Sequence, residues 1–237
     1  AGVGTIDVNA STGTTDGVVT QTDGTRIVST SGVITVGAAG DVTLANVETA
    51  NGTANAIAIT STSGSILDGG ATHREVVANS AGAVATLTAA SGIGTGANAL
   101  ETSVASLDAS VTGAGSISVN ELDSVDLLDV DTANGTITIS AGGMLTATDV
   151  DSSATDNGAN TISLTTTAGD IAVVSINAGA SNDVVLNSAA NITDDGNAGT
   201  LIAADRLTAD AVGSITIDTS VATADVSTSA EIGRAHV

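Results

Sequence analysis

The chain has 237 residues and a formal charge of −22, from 26 acidic residues against four Arg, and it contains no Phe, Trp, Tyr, Cys or Pro. Without cysteine there is no disulfide framework, no zinc ribbon and no thiol nucleophile. Without a basic patch or an aromatic stacking platform, and at this charge, no nucleic acid is expected as a partner, because phosphate backbones repel the chain.

Disorder is excluded by hydropathy: 42% of residues are hydrophobic and the mean hydropathy is +0.37. The apolar set is 41 Ala, 26 Val, 18 Ile, 13 Leu and one Met. Val and Ile fit a pleated surface and lose rotamer freedom in helices, so this bias predicts an all-β chain.

In chain order, apolar residues recur in short alternating bursts: Ile6·Val8, Ile34·Val36, Val42·Leu44, Ile57·Ile59, Ile117·Val119, Val125·Leu127, Ile137·Ile139, Ile162·Leu164, Ile171·Val173 and Ile215·Ile217. A period of two means that one face of each strand is buried and the other solvated. Between the bursts stand corner-forming clusters, Ala-Asn-Gly-Thr at 50–53 and 133–136, Asp-Asn-Gly at 156–158 and Asp-Asp-Gly at 194–196.

Longer self-similarity overlies these bursts. Gly64-Ser-Ile-Leu-Asp-Gly-Gly70 parallels Ala190-Asn-Ile-Thr-Asp-Asp-Gly196, Leu87-Thr-Ala89 parallels Leu207-Thr-Ala209, and Leu100 to Ser106 parallels Ile217 to Thr223. Nested periodicity of this kind is the mark of a solenoid, in which each coil needs a neighbour to bury its apolar face. A narrow parallel β-helix has room only for stacked small and β-branched side chains, which accounts for the absence of aromatics. Coils of roughly 20–25 residues give about ten coils and a rod of about 50 Å. Tandem β-sandwich adhesin modules, with Asn-Gly hairpins, are the alternative.

No apolar run approaches the ~20 residues of a membrane helix, and no segment has the pattern of a signal peptide. The last seven residues, Glu231 to Val237, resemble the in-frame translation of a sequencing-library adapter. Residues 1–230 are therefore expected to be one solenoid segment of a longer protein, and 231–237 a non-native tail.

Asp41-Val-Thr-Leu44, Gly64 to Asp68, Gly94 to Val104 and Gly115-Ser-Ile-Ser-Val119 resemble repeats of very large filamentous-haemagglutinin-like bacterial surface proteins. The resemblance covers most of residues 1–230 and is specific to an architecture and a broad class. It implies a right-handed parallel β-helix, secreted and displayed or shed as a long extracellular fibre. The secretion domain of such proteins has no counterpart in this stretch.

His73, in Thr72-His-Arg-Glu75, is the one histidine outside the tail, and a Ser-His-Asp triad would need a positioned hydroxyl and carboxylate beside it. A solvated loop side chain is the plainer reading. Carboxylates cluster at Asp123, Asp126, Asp129 and Asp131, at Asp149, Asp151 and Asp156, and at Asp194 and Asp195. The segment 149–158 loosely suits calcium, which takes oxygens from alternating Asp and backbone carbonyls, so Asp149, Asp151 and Asp156 are the candidate calcium ligands. It lacks EF-hand spacing and a bidentate Glu, and acidic side chains also serve simply to solvate an outer face.

A polysaccharide-cleaving groove would need clustered acid/base residues, Arg or Lys to hold an acidic sugar, and aromatics to stack on it. Arg26, Arg74 and Arg206 lie far apart in the sequence, so no enzyme activity is expected. Thr136-Ile-Thr138 and Thr165-Thr-Thr167 resemble ice-binding ranks, but threonines do not recur at a constant coil interval. The expected role is that of a structural stalk, with a host or environmental surface or a glycan as partner and end-to-end self-association through terminal coils. A calcium- or glycan-binding solenoid module is the alternative.

Overall fold

The β-branched bursts do form strands. A computed structural model describes residues 4–10, 17–197, 199 and 201–229, so the expected adapter-derived tail lies outside the described residues. These residues contain 26 strands and no helix, joined into one continuous sheet by pairings that are parallel throughout. The chain winds as a β-solenoid of about nine turns, one fewer than the roughly ten coils expected.

One interior ladder defines the axis. Val19, Val42, Ile66, Ile93, Ile117, Ile137, Ile162, Val184, Leu207 and Ala224 stack in register, each on the next. From Val42 to Leu207 every one of them is wholly buried. Each such side chain contributes roughly 1.5–3 kcal/mol by leaving water. Because each contacts its two axial neighbours, cohesion is distributed evenly along the rod rather than concentrated in one centre.

Corners are closed by hydroxyls. At the ends of strands Val125–Asn134, Ile162–Thr166 and Asp183–Ser188, a hydroxyl donates to the carbonyl three residues on: Thr132 Oγ1 to Gly135 O at 2.7 Å, Thr166 Oγ1 to Gly169 O at 2.9 Å, and Ser188 Oγ to Asn191 O at 2.9 Å. Corner carbonyls thus gain a side-chain donor from the end of the strand before them. Glycine is required where corners stack: a Cβ on Gly135 would stand 1.8 Å from Gly115 O, and one on Gly115 would stand 1.9 Å from Ser91 O.

The winding is not uniform. In early coils one interior line begins a five-residue strand, as in Ile34–Ala38 and Ile57–Ser61, followed by two short strands such as Val42–Leu44 and Val47–Thr49. In later coils the long strands, Ile137–Ala141 and Ile162–Thr166, stack on the second of these lines instead. The change is made at Ile117–Glu121, one strand that pairs with both Gly92–Ile93 and Leu100–Val104, while Val125–Asn134 pairs onward with both Leu145–Ala147 and Val150–Asp151. Between these coils the register shifts between Leu107 and Asp108. The long-range sequence repeat therefore changes face: Ile66 stacks on Val42, whereas Ile192, its counterpart in the repeat, stacks on Ile171 in a different ladder.

Candidate functional site

The coils differ most where the second face meets the third. Ala45 and Asn46 alone turn this corner between Leu44 and Val47. The coil before it turns through residues 21–26, and the coil after it through 69–75. These two longer loops overhang the short corner and meet across it, where the Thr72 amide donates to Asp23 Oδ1 at 3.2 Å. The Thr72 hydroxyl and amide hold the exposed Asp23 carboxyl below its ordinary value.

Asn46 is the hub beneath them, with 2% of its surface exposed. Its Nδ2 donates to Arg74 O at 2.8 Å, and its Oδ1 accepts from Arg26 Nε at 3.1 Å. Gln21 clasps the same residue, its Nε2 donating to Asn46 O at 3.0 Å and its Oε1 accepting from the Ala45 and Asn46 amides. Arg26 Nη2 in turn pairs with Glu48. A buried amide so completely satisfied fixes the loop on each side of it.

The result is a cleft of about 300 Å³ walled by Arg26, His73 and Arg74 and floored by Val77, Ser103 and Leu122. Glu48, Val77 and Ser103 are register partners on successive coils, so the floor runs along the rod axis. Leu122 is 48% exposed at its far end. Two of the three arginines that look scattered in the sequence are thus brought together, because Arg26 and Arg74 are separated by two turns of the winding. Arg206 lies elsewhere, its Nη2 3.6 Å from Asp225. His73 makes no hydrogen bond to a hydroxyl or carboxylate among the described residues, so the pairing that a triad needs is not formed there.

Two glutamates are buried beside the third face, Glu75 at the end of loop 69–75 and Glu121 at the end of strand Ile117–Glu121. Glu75 is wholly buried; the Glu101 amide donates to its Oε2 at 2.7 Å, and its Oε1 has no hydrogen-bond partner. Burial, with the neighbouring Asp68 carboxylate, pushes its carboxyl up to about 8. Glu121 lies in register with Thr102, which itself pairs with Val76, so a line that is apolar earlier becomes polar here. Its Oε2 accepts from Thr102 Oγ1 at 2.7 Å and from Val104 N at 3.1 Å, and its Oε1 from Asp123 N at 3.2 Å. Burial pushes it up to about 7, with the Asp123 side chain adding to the shift. Glu121 continues the period-two alternation of Ile117 and Val119, and Glu75 directly precedes the buried Val76. A charged side chain on an inward position is read as a break in the apolar pattern, however, so sequence reasoning passed over both.

The acidic clusters stack on the outer surface. Asp108 is the register partner of Asp129, and Asp131 that of Asp151. Burial first, then the Asp129 carboxylate, raises the carboxyls of Asp108 and Asp149; at Asp131 burial raises it against the Ser110 hydroxyl bond, with Asp129, Asp151 and Asp108 adding. Of the candidate calcium ligands, Asp149 and Asp151 are therefore neighbours. Asp156 is engaged elsewhere, its Oδ1 accepting from Ser181 N at 2.7 Å and its Oδ2 from Ala180 N at 3.0 Å on the next coil. Among the described residues no group of three or more His, Asp or Glu is placed to hold a metal ion. Asp194 closes a local turn by accepting from Gly196 N at 2.9 Å, and Asp195 closes one by accepting from Asn197 N at 3.0 Å. No described helix is long and apolar enough to cross a membrane.

Compared with protein-family models, with curated proteins and with solved structures, the chain returned no match.

Proposed function

We propose that this chain is a rigid spacer, a stalk segment of a secreted or surface-displayed bacterial fibre of the filamentous-haemagglutinin type, without catalytic activity. The observation that carries this reading is the ladder that stacks in unbroken register from Val19 to Ala224 and is buried from Val19 to Leu207. A rod cross-linked at every turn by backbone hydrogen bonds resists bending, and its length is additive in turns. The charge of −22 keeps the flanks of a long molecule soluble by self-repulsion. Small side chains lower the entropy lost as each coil orders.

Deleting one whole turn, residues 117–136, tests the reading, since Ile137 would then stack on Ile93. The shortened chain is expected to fold and to lose about 4.8 Å of maximum dimension in solution X-ray scattering. Collapse to an unfolded chain, or an unchanged maximum dimension, would overturn it. End-to-end association belongs to the same reading: strand Thr219–Thr228 is paired on one side only among the described residues. Sedimentation that stays strictly monomeric at high concentration would count against that part.

A further inference from the structure

We propose that the axial cleft between loops 21–26 and 69–75 binds an acidic polysaccharide, with the Arg74 guanidinium holding one uronate carboxylate. Acidic residues outnumber arginines 26 to four in this chain, so a guanidinium would find a carboxylate by default. Arg26 does, in Glu48, and Arg206 does, in Asp225. Arg74 does not: among the described residues no carboxylate stands within ion-pair distance of it. It is half-buried, and its backbone is held by the Asn46 side chain, so its base is fixed while its charge is left unmatched.

An unpaired guanidinium carried on a fixed backbone is a fork for a planar carboxylate, which it can grip through two parallel hydrogen bonds. His73 stands beside it, so three of the four basic side chains in the described residues converge on one cleft of about 300 Å³. That volume is at the lower end of the range for small-molecule sites.

The remaining lining narrows the class of ligand. Ser103 offers a hydroxyl and Val77 and Leu122 small apolar patches, while the Thr72 hydroxyl is held by Asp23, the Asn46 amide by the two loops, and the Glu48 carboxylate, also in the lining, by Arg26. Such a mixture suits a ring with hydroxyls on its rim and C–H bonds on its face. The lining extends over five successive coils, from Arg26 to Leu122, which is about 19 Å along the axis at ~4.8 Å per coil. An extended chain lying parallel to the rod fits that shape. The acidic exterior repels long polyanions at low salt, but at physiological ionic strength this repulsion decays over about 8 Å.

The test uses the full chain in 0.15 M salt and titrates it by calorimetry with trigalacturonate, with galactotriose as the neutral control and a short oligoglutamate as the peptide control. Trigalacturonate is expected to bind at least about tenfold more tightly than either control, and Arg74→Gln to remove that margin, the weight of one charge-assisted hydrogen bond. Arg74→Lys is expected to restore charge but only part of the affinity, since the fork is lost. An unchanged circular-dichroism spectrum and melting temperature establish that each variant is folded. Equal binding of galactotriose, equal binding of oligoglutamate, no binding of trigalacturonate, or undiminished binding by folded Arg74→Gln would each overturn the proposal.

Discussion

The Glu101 amide donates to Glu75 Oε2 at 2.7 Å while the other carboxylate oxygen of Glu75, wholly buried, is left without a partner. A buried oxygen with no donor is a cost that a proton removes. With Glu75 ionised, neither it nor Asp68 can donate to the other; with Glu75 protonated, one can.

A direction for pH dependence follows. The Glu75 carboxyl rises from 4.5 to about 8 on folding, and Glu121 from 4.5 to about 7. A carboxyl raised on folding binds its proton more tightly in the folded chain, so its stabilising contribution is fully present below 4.5. That contribution is lost as the pH climbs through the folded values, at up to about 1.4 kcal/mol per pH unit for each proton. Urea denaturation from pH 4 to pH 9 should show stability falling between about 4.5 and 8. Glu75→Gln should flatten the profile and stabilise the chain at pH 8 by about 1–3 kcal/mol, with little change at pH 4. A profile that rises across this window would refute the assignment.

Asp129 bears on three other carboxyls, those of Asp108, Asp131 and Asp149. Asp129→Asn is expected to stabilise the chain at pH 7 by about 0.2–1 kcal/mol, the scale of cross-strand like-charge pairs. The gain should shrink in 1 M salt, where screening has already weakened the repulsion. Thermal melting at low and high salt gives the readout, and a gain independent of salt would point to packing instead.

Two glycines separate conformational need from close approach. Gly135→Ala brings a methyl onto the Gly115 carbonyl of the coil beneath and should cost about 1–3 kcal/mol through forced backbone movement. Gly37, in mid-strand between Asn9 and Thr60, has nothing nearer to its Cβ position than Asn9 Cγ at 4.0 Å. Gly37→Ala should stabilise by about 0.5–1 kcal/mol. Chemical denaturation of the pair gives the comparison, and equal effects would contradict the stacked-corner geometry.

Much of the fold was legible because burial has a period of two: Ile34·Val36, Ile57·Ile59 and Ile162·Leu164 all mark strands with alternating burial. What a strand stacks on was not, because the spacing between axial partners varies, from 17 residues between Leu207 and Ala224 to 29 between Val47 and Val76. The change of face between Ser106 and Asn134 is hidden for the same reason, since the motif stays in phase along the chain while its partner ladder shifts. The basic cleft joins Arg26 to Arg74 through two turns of unequal length. Its one local trace was the adjacent pair His73-Arg74 after Gly69-Gly70, a loop longer than the corner below it.

The central claim, a stiff rod of stacked turns, is tested most directly by a distance measured between spin labels at Thr43→Cys and Thr208→Cys, since the chain has no cysteine of its own. The two positions follow Val42 and Leu207 in one ladder, seven turns apart, which places them about 34 Å apart at ~4.8 Å per turn. Double electron–electron resonance should return a single narrow distribution centred near that separation. A broad distribution, or one displaced by several turns, would contradict the account.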